Sequence, residues 1–153
     1  MSTAIATPSR EAWLAERKKA IGASEVAAVL GVSPHKSAAA LYFEKVGLVE
    51  PDDLDGLEWI KWGNRLQVPI GMAFGEETGR LVKAEPDNTV RRSPVYPWLA
   101  ASLDFEQWAD DKSGPGALEV KTSDSFMRRV WEQWPPLHYQ VQLQAQMLVC
   151  GLQ

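Results

Sequence analysis

The chain has 153 residues, a formal charge of −4, 45% hydrophobic and 24% charged side chains and seven Trp, which suits one soluble globular domain and excludes a disordered or collagen-like chain. No apolar run approaches the roughly 20 residues that span a bilayer, and the opening MSTAIATPSR lacks the basic-then-apolar order of a secretory leader, so a cytoplasmic protein with no membrane part is expected. The single Cys150 leaves no internal disulfide and no cysteine-held zinc or iron–sulfur site, and the acidic balance confines nucleic-acid binding to local clusters such as Arg17-Lys18-Lys19, Arg91-Arg92 and Arg128-Arg129.

In chain order, Ser9 caps a predicted helix running to about Lys19, with Trp13, Leu14 and Arg17 on one side. Ser24 reads as a second N-cap before EVAAVL, which Gly31 ends, and Pro34 and Ser37 open a third helix closed by Gly47. The acidic loop Glu50-Pro51-Asp52-Asp53 follows. From Leu57 to Thr78 the spacing of Leu57, Ile60, Leu66, Ile70 and Phe74 predicts a longer helix, kinked or interrupted at Gly63, Pro69 and Gly71 and ended by Gly79. Strand-like segments come next: LVKA, NTVRR, WLAASLDFEQW and ALEVKTS, the last two joined by the hairpin signal DDKSGPG. Helical spacing returns in FMRRVWEQW and LHYQVQLQAQMLVC. The expected organisation is one domain over 1–153, helical from 9 to 78, with a sheet and site over 81–122 and helices over 125–151. An α+β (α/β) fold follows, with helices flanking a small mixed sheet.

Strand geometry would gather three residues. Glu119 and Lys121 lie on one side of ALEVKTS with Val120 on the other, and pairing with SLDFE brings Asp104 beside Glu119. Two carboxylates and a backbone carbonyl are the hard donors that Mg²⁺ or Mn²⁺ takes in phosphodiester cleavage, and a nearby ammonium can orient a water or stabilise phosphate charge. The pattern acid, any residue, lysine is common by itself; Glu16-Arg17-Lys18 repeats it in a predicted helix. The bland alternative is a surface hairpin with an ordinary salt bridge.

Four segments appear in a family's order: Arg17 followed by IGASEVAAVLG, then WGNRLQVPIGMAFGEETG, then SLDF with LEVKTS, then HYQVQLQAQMLVCG. Across residues 10 to 153 the chain resembles the phage-type recombination exonucleases, the YqaJ and lambda exonuclease group of the PD-(D/E)XK, restriction-endonuclease-like superfamily. The resemblance implies that Asp104, Glu119 and the Val120 carbonyl are metal ligands, that Lys121 is the catalytic lysine, and that Ser24 with Arg17 receives a DNA 5′-phosphate. A helix start with a hydroxyl and a guanidinium suits an anion, although a plain cap would look the same. Of the glutamines in the last helix, Gln142 and Gln146 share a side; alignment with the family selects Gln142 as the one facing the site.

Two departures are visible. The family's GxxLE segment ends here in Gln67, a neutral amide that offers one carbonyl oxygen to a metal and no charge. The chain also stops at Gln153, where relatives continue into further strand and helix; a shortened chain lacking its C-terminal strand, and self-association over an uncovered sheet edge, are expected. The resemblance implies a Mg²⁺-dependent exonuclease, bacterial or phage-encoded, that degrades duplex DNA from 5′ ends for recombination. It also implies a single-strand annealing partner and a homo-oligomer, ring-shaped trimers occurring among relatives. The rival readings are an endonuclease of the same superfamily and a weakly active or non-catalytic module that binds DNA or protein.

Overall fold

A computed structural model of the protein describes residues 2–52, 54, 56–109 and 114–152. Its elements are β1 (Thr3–Ala6), α1 (Arg10–Lys18), β2 (Ile21–Gly22), a 3₁₀ turn (Ala23–Glu25), α2 (Val26–Val29), α3 (Ala38–Lys45) and α4 (Glu58–Thr78). There follow β3 (Leu81–Ala84), β4 (Thr89–Arg92), β5 (Leu99–Ala101), β6 (Phe105–Trp108), β7 (Gly116–Leu118), a second 3₁₀ turn (Ser125–Met127), α5 (Arg128–Gln133) and α6 (Leu137–Cys150). Helix boundaries follow local chemistry. The hydroxyls of Ser9 and Ser37 accept from the amides of Ala12 and Ala40 at the starts of α1 and α3. Gly79 ends α4 at φ +71°, a conformation that needs no Cβ.

The strands form two small sheets. One is mixed, in the order β1-β4-β5-β2, with β2 parallel to β5 and the other pairs antiparallel; the second is antiparallel, in the order β3-β6-β7. Alternation along β5 sets the layers. Leu99 and Ala101 join Ala23, Leu103, Ala117, Ala145, Val149 and Cys150 in a core under α6, while Ala100 turns to the opposite face with Ala20, Val90 and Trp13 of α1. On the second sheet the fully buried Phe105 lies against α4 at Gly71, where an added Cβ would stand 2.3 Å from the ring. Gly75 makes the same close approach to Val82. Arg91 of β4 ties the sheets together: its guanidinium donates to Glu85 at 2.6 Å and to Glu106 of β6 at 2.9 Å.

Several expectations need correction. α4 is not interrupted at Gly63, Pro69 or Gly71 but runs as one helix, with Gly71 and Gly75 packed against the sheet. The segment WLAASLDFEQW is two strands in different sheets, divided at Ser102-Leu103-Asp104. β1 and β2 were not predicted: one is a four-residue edge strand, the other a two-residue pairing with too little length for a period. Ser24 caps no helix, since it lies inside the 3₁₀ turn that precedes α2. Parts of the DDKSGPG hairpin loop (110–113) and of the acidic loop (Asp53) lie outside the described residues, but the β6–β7 pairing that the hairpin required is present.

Candidate active site and its relatives

β6 and β7 pair Phe105 with Leu118, so the residues next along, Asp104 and Glu119, come side by side at one end of the sheet. Asp104 stands at a strand end, as expected, immediately before β6, whereas Glu119 and Lys121 lie just past β7 rather than within a strand. The backbone is pinned there: the Glu85 amide donates to the Asp104 carbonyl at 3.0 Å, and the Val120 amide donates to Asp104 Oδ2 at 2.8 Å.

Glu119 is the hub. Its Oε1 accepts from Lys121 Nζ and from Gln142 Nε2, each at 2.5 Å, and its Oε2 accepts from Gln146 Nε2 at 2.7 Å. Gln146 is 1% exposed and donates as well to the Ser102 carbonyl, at 2.9 Å, next to the turn that carries Asp104. Burial pushes the Asp104 carboxyl up, and the charge of Glu119 adds to it; the Val120 amide and Lys121 offset part, leaving the group at about 6. Two carboxylates facing one ammonium leave a surplus negative charge in a half-buried place, a condition that a hard cation relieves.

Arg17 and Ser24 also meet: the Arg17 guanidinium donates to Ser24 Oγ at 3.2 Å and lies 4.5 Å over the Trp13 ring. Burial presses the Arg17 pKa down while the carboxylate of Glu25 opposes the shift. Glu25 accepts from the Gly22 amide and pairs with Lys45 Nζ, both at 2.7 Å, and Lys45 also donates to the carbonyls of Arg17 and Ala20. Lys45 thus ties the Arg17–Ser24 pair to α3. Ala23, one residue before Ser24, packs in the same core as Ala145 of α6, so the helix that carries Gln142 and Gln146 also supports the turn that holds Ser24.

Gln67 sits on α4 between Gly63, which faces Thr122, and Gly71, which faces Phe105, so the helix side it shares is the one turned to the strand ends. The other basic clusters are largely absorbed by carboxylates: Lys19 and Arg92 by Glu16, Arg91 by Glu85 and Glu106, and Arg128 by Glu132. Sequence reasoning left out Gln146 and Lys45. The signal for the first was present, four residues after Gln142 on the same helical face; for Lys45 no spacing points to a residue 20 positions away.

The family model described as "YqaJ-like viral recombinase domain" matches residues 12–153. The chain belongs to this family. It is 29% identical over 144 residues to "Uncharacterized protein YqaJ" of Bacillus subtilis (strain 168), covering 94% of this chain and 43% of that one. This YqaJ-like domain therefore spans less than half the length of that relative. Among solved structures it is similar to an alkaline exonuclease (LHK-Exo) from Laribacter hongkongensis, with a TM-score of 0.65, 24% identity and coverage of 92% of this chain and 69% of the other. LHK-Exo in complex with dAMP gives a TM-score of 0.65 at 22% identity, over 94% and 70% of the two chains. At these identities the likeness carries the fold: α+β and restriction-endonuclease-like, with small sheets flanked by helices.

Proposed function

We propose that this YqaJ-like domain is a divalent-metal-dependent deoxyribonuclease that hydrolyses the phosphodiester backbone of duplex DNA from 5′ ends, in the service of recombination. The observation that carries the reading is the meeting of Asp104 and Glu119 at one sheet end, with Lys121 and Gln142 on the same Glu119 oxygen. The donors fit Mg²⁺ or Mn²⁺: the carboxylates of Asp104 and Glu119, the carbonyl of Val120 and the amide oxygen of Gln67 are all hard oxygens. When bound, such an ion supplies a more acidic water and draws charge from the phosphate.

The rest falls to the chain. Lys121, 2.5 Å from Glu119, is placed to orient the attacking water or to steady charge developing on the phosphate. Gln142 and Gln146 hold Glu119 by both oxygens, so its carboxylate keeps one direction. Arg17 with Ser24 offers a guanidinium and a hydroxyl to a terminal phosphate, which favours chain ends over internal bonds. An annealing protein that takes up the exposed strand and a ring of identical subunits belong to the same proposal.

Incubating linear duplexes, with and without a 5′-phosphate, and closed circles with Mg²⁺ or Mn²⁺ tests it. Metal-dependent shortening of linear DNA, faster with the phosphate and abolished by Asp104→Ala, is the expected outcome. Cutting of closed circles would move the assignment to an endonuclease. The neutral Gln67 is the observation that favours a weakly active or binding-only module. No cleavage in either metal, with Gln67→Glu also inert, would decide for that reading.

A further inference from the structure

Next to the carboxylates, α4, α5, α6 and the segment after β7 enclose a cleft of about 730 Å³. Its walls are Trp59 and Trp62 of α4, Trp131 of α5, His138 and Tyr139 of α6, and His35. Trp131 and Tyr139 stack at 5.4 Å and 24°, and the His138 ring lies 4.0 Å from Tyr139. Trp59 is 67% and Trp62 54% exposed, so large flat rings are kept in water beside a ready-made stack. Neither the metal ligands nor the Arg17 pocket accounts for this surface.

We propose that the cleft is a nucleobase-stacking subsite for unpaired bases of the DNA strand whose phosphate lies at Asp104, Glu119 and Lys121; it rests on the nuclease reading. Continuity favours that occupant: Lys121 Nζ lies 5.2 Å from the centre of the Tyr139 ring, and Thr122, the next residue, lines the cleft. A strand with its phosphate near Lys121 thus meets an aromatic wall. The cleft selects bases over phosphates, because Asp124 also lines it and a carboxylate repels phosphate yet accepts from base amino groups. The His138 ring, packed against Tyr139, extends the aromatic wall of the cleft. Stacking on aromatic faces tolerates any sequence, as a nuclease that advances through DNA requires.

The test compares binding of a labelled single-stranded oligonucleotide with that of the same strand carrying abasic sites, by fluorescence anisotropy without divalent ions, so that no cleavage intervenes. The wild-type chain is expected to bind the base-bearing strand about tenfold more tightly. Trp131→Leu and Trp59→Leu should each bring that ratio close to one while the abasic affinity stays put; Trp59, being exposed, can change without endangering the fold. Equal affinities in the wild type, or a ratio untouched by both variants, would overturn the proposal. So would a concentration-dependent dimer that Trp59→Leu dissolves while the ratio stays at one, which would mark the cleft as a contact between copies. Base-dependent binding without metal-dependent cleavage would instead defeat the nuclease reading and leave the subsite in place.

Discussion

At Asp104 the carboxyl holds its proton to about 6, against an ordinary 3.8, first because it is buried and then because Glu119 stands beside it. A folded-state pKa above the unfolded one stabilises the fold only while the proton is bound. In the metal-free protein the Asp104 contribution is therefore complete below pH about 3.8 and lost as pH rises through about 6. Melting temperature followed over that range should fall for the wild type and fall less for Asp104→Asn. The proposed metal binding should run the other way: below pH about 6 an ion would compete with that proton, so affinity should drop by up to about tenfold per pH unit. Gln146 is the other decisive residue, since its buried amide donates to both Glu119 and the Ser102 carbonyl. Gln146→Leu leaves those acceptors unmet; thermal unfolding should show a loss of about 1–3 kcal/mol and a cleavage assay a loss of about 10–100-fold. The meeting of Asp104, Glu119 and Lys121 was legible in the sequence because strand alternation and a hairpin signal suffice to place them. The part of Gln146 was legible only as a shared helix side with Gln142; its bonds to Glu119 and Ser102 depend on how the helix lies over the strand ends.

Among the elements, α4 shows how packing overrides propensity. Gly63, Pro69 and Gly71 argue locally for a break, yet the helix runs on; Gly71 and Gly75 let it lie close against Phe105 and Val82, and that packing offsets their low propensity. Gly71→Ala offers a helix gain of about 1 kcal/mol but sets a methyl 2.3 Å from a Phe105 ring that is fully buried. The clash wins: chemical denaturation should show a net loss of about 1–3 kcal/mol, and a variant as stable as the wild type would mean that Phe105 has room to shift. The helices were readable from their caps at Ser9 and Ser37 and their stops at Gly31, Gly47 and Gly79. The division of β5 from β6 was not, for Ser102-Leu103-Asp104 contains no Pro or Gly to mark it. Ser24 was misread as a cap for a related reason: the extended Gly22 ends β2 directly before the 3₁₀ turn, and Glu25, not Ser24, takes the Gly22 amide.

Over the whole molecule, α6 and Arg91 make the site a property of the fold rather than of one hairpin. α6 covers β5 and β7, reaches Glu119 through Gln142 and Gln146, and packs on Ala23 beside Ser24. Arg91 joins the two sheets through Glu85 and Glu106, which explains why a cluster that looked available to DNA serves the scaffold. Among the described residues no helix is long and apolar enough to cross a membrane. The full width of the first sheet was not legible, because the two-residue β2 and the edge strand β1 carry almost no local signal.

The most direct measurement is a calorimetric titration of Mn²⁺ into the wild-type chain, Asp104→Asn and Glu119→Gln at neutral pH. A single ion bound by the wild type and weakened by at least about tenfold in each variant is the expected result. Equal binding by all three chains, or none by the wild type, would contradict the claim that Asp104 and Glu119 share one cation.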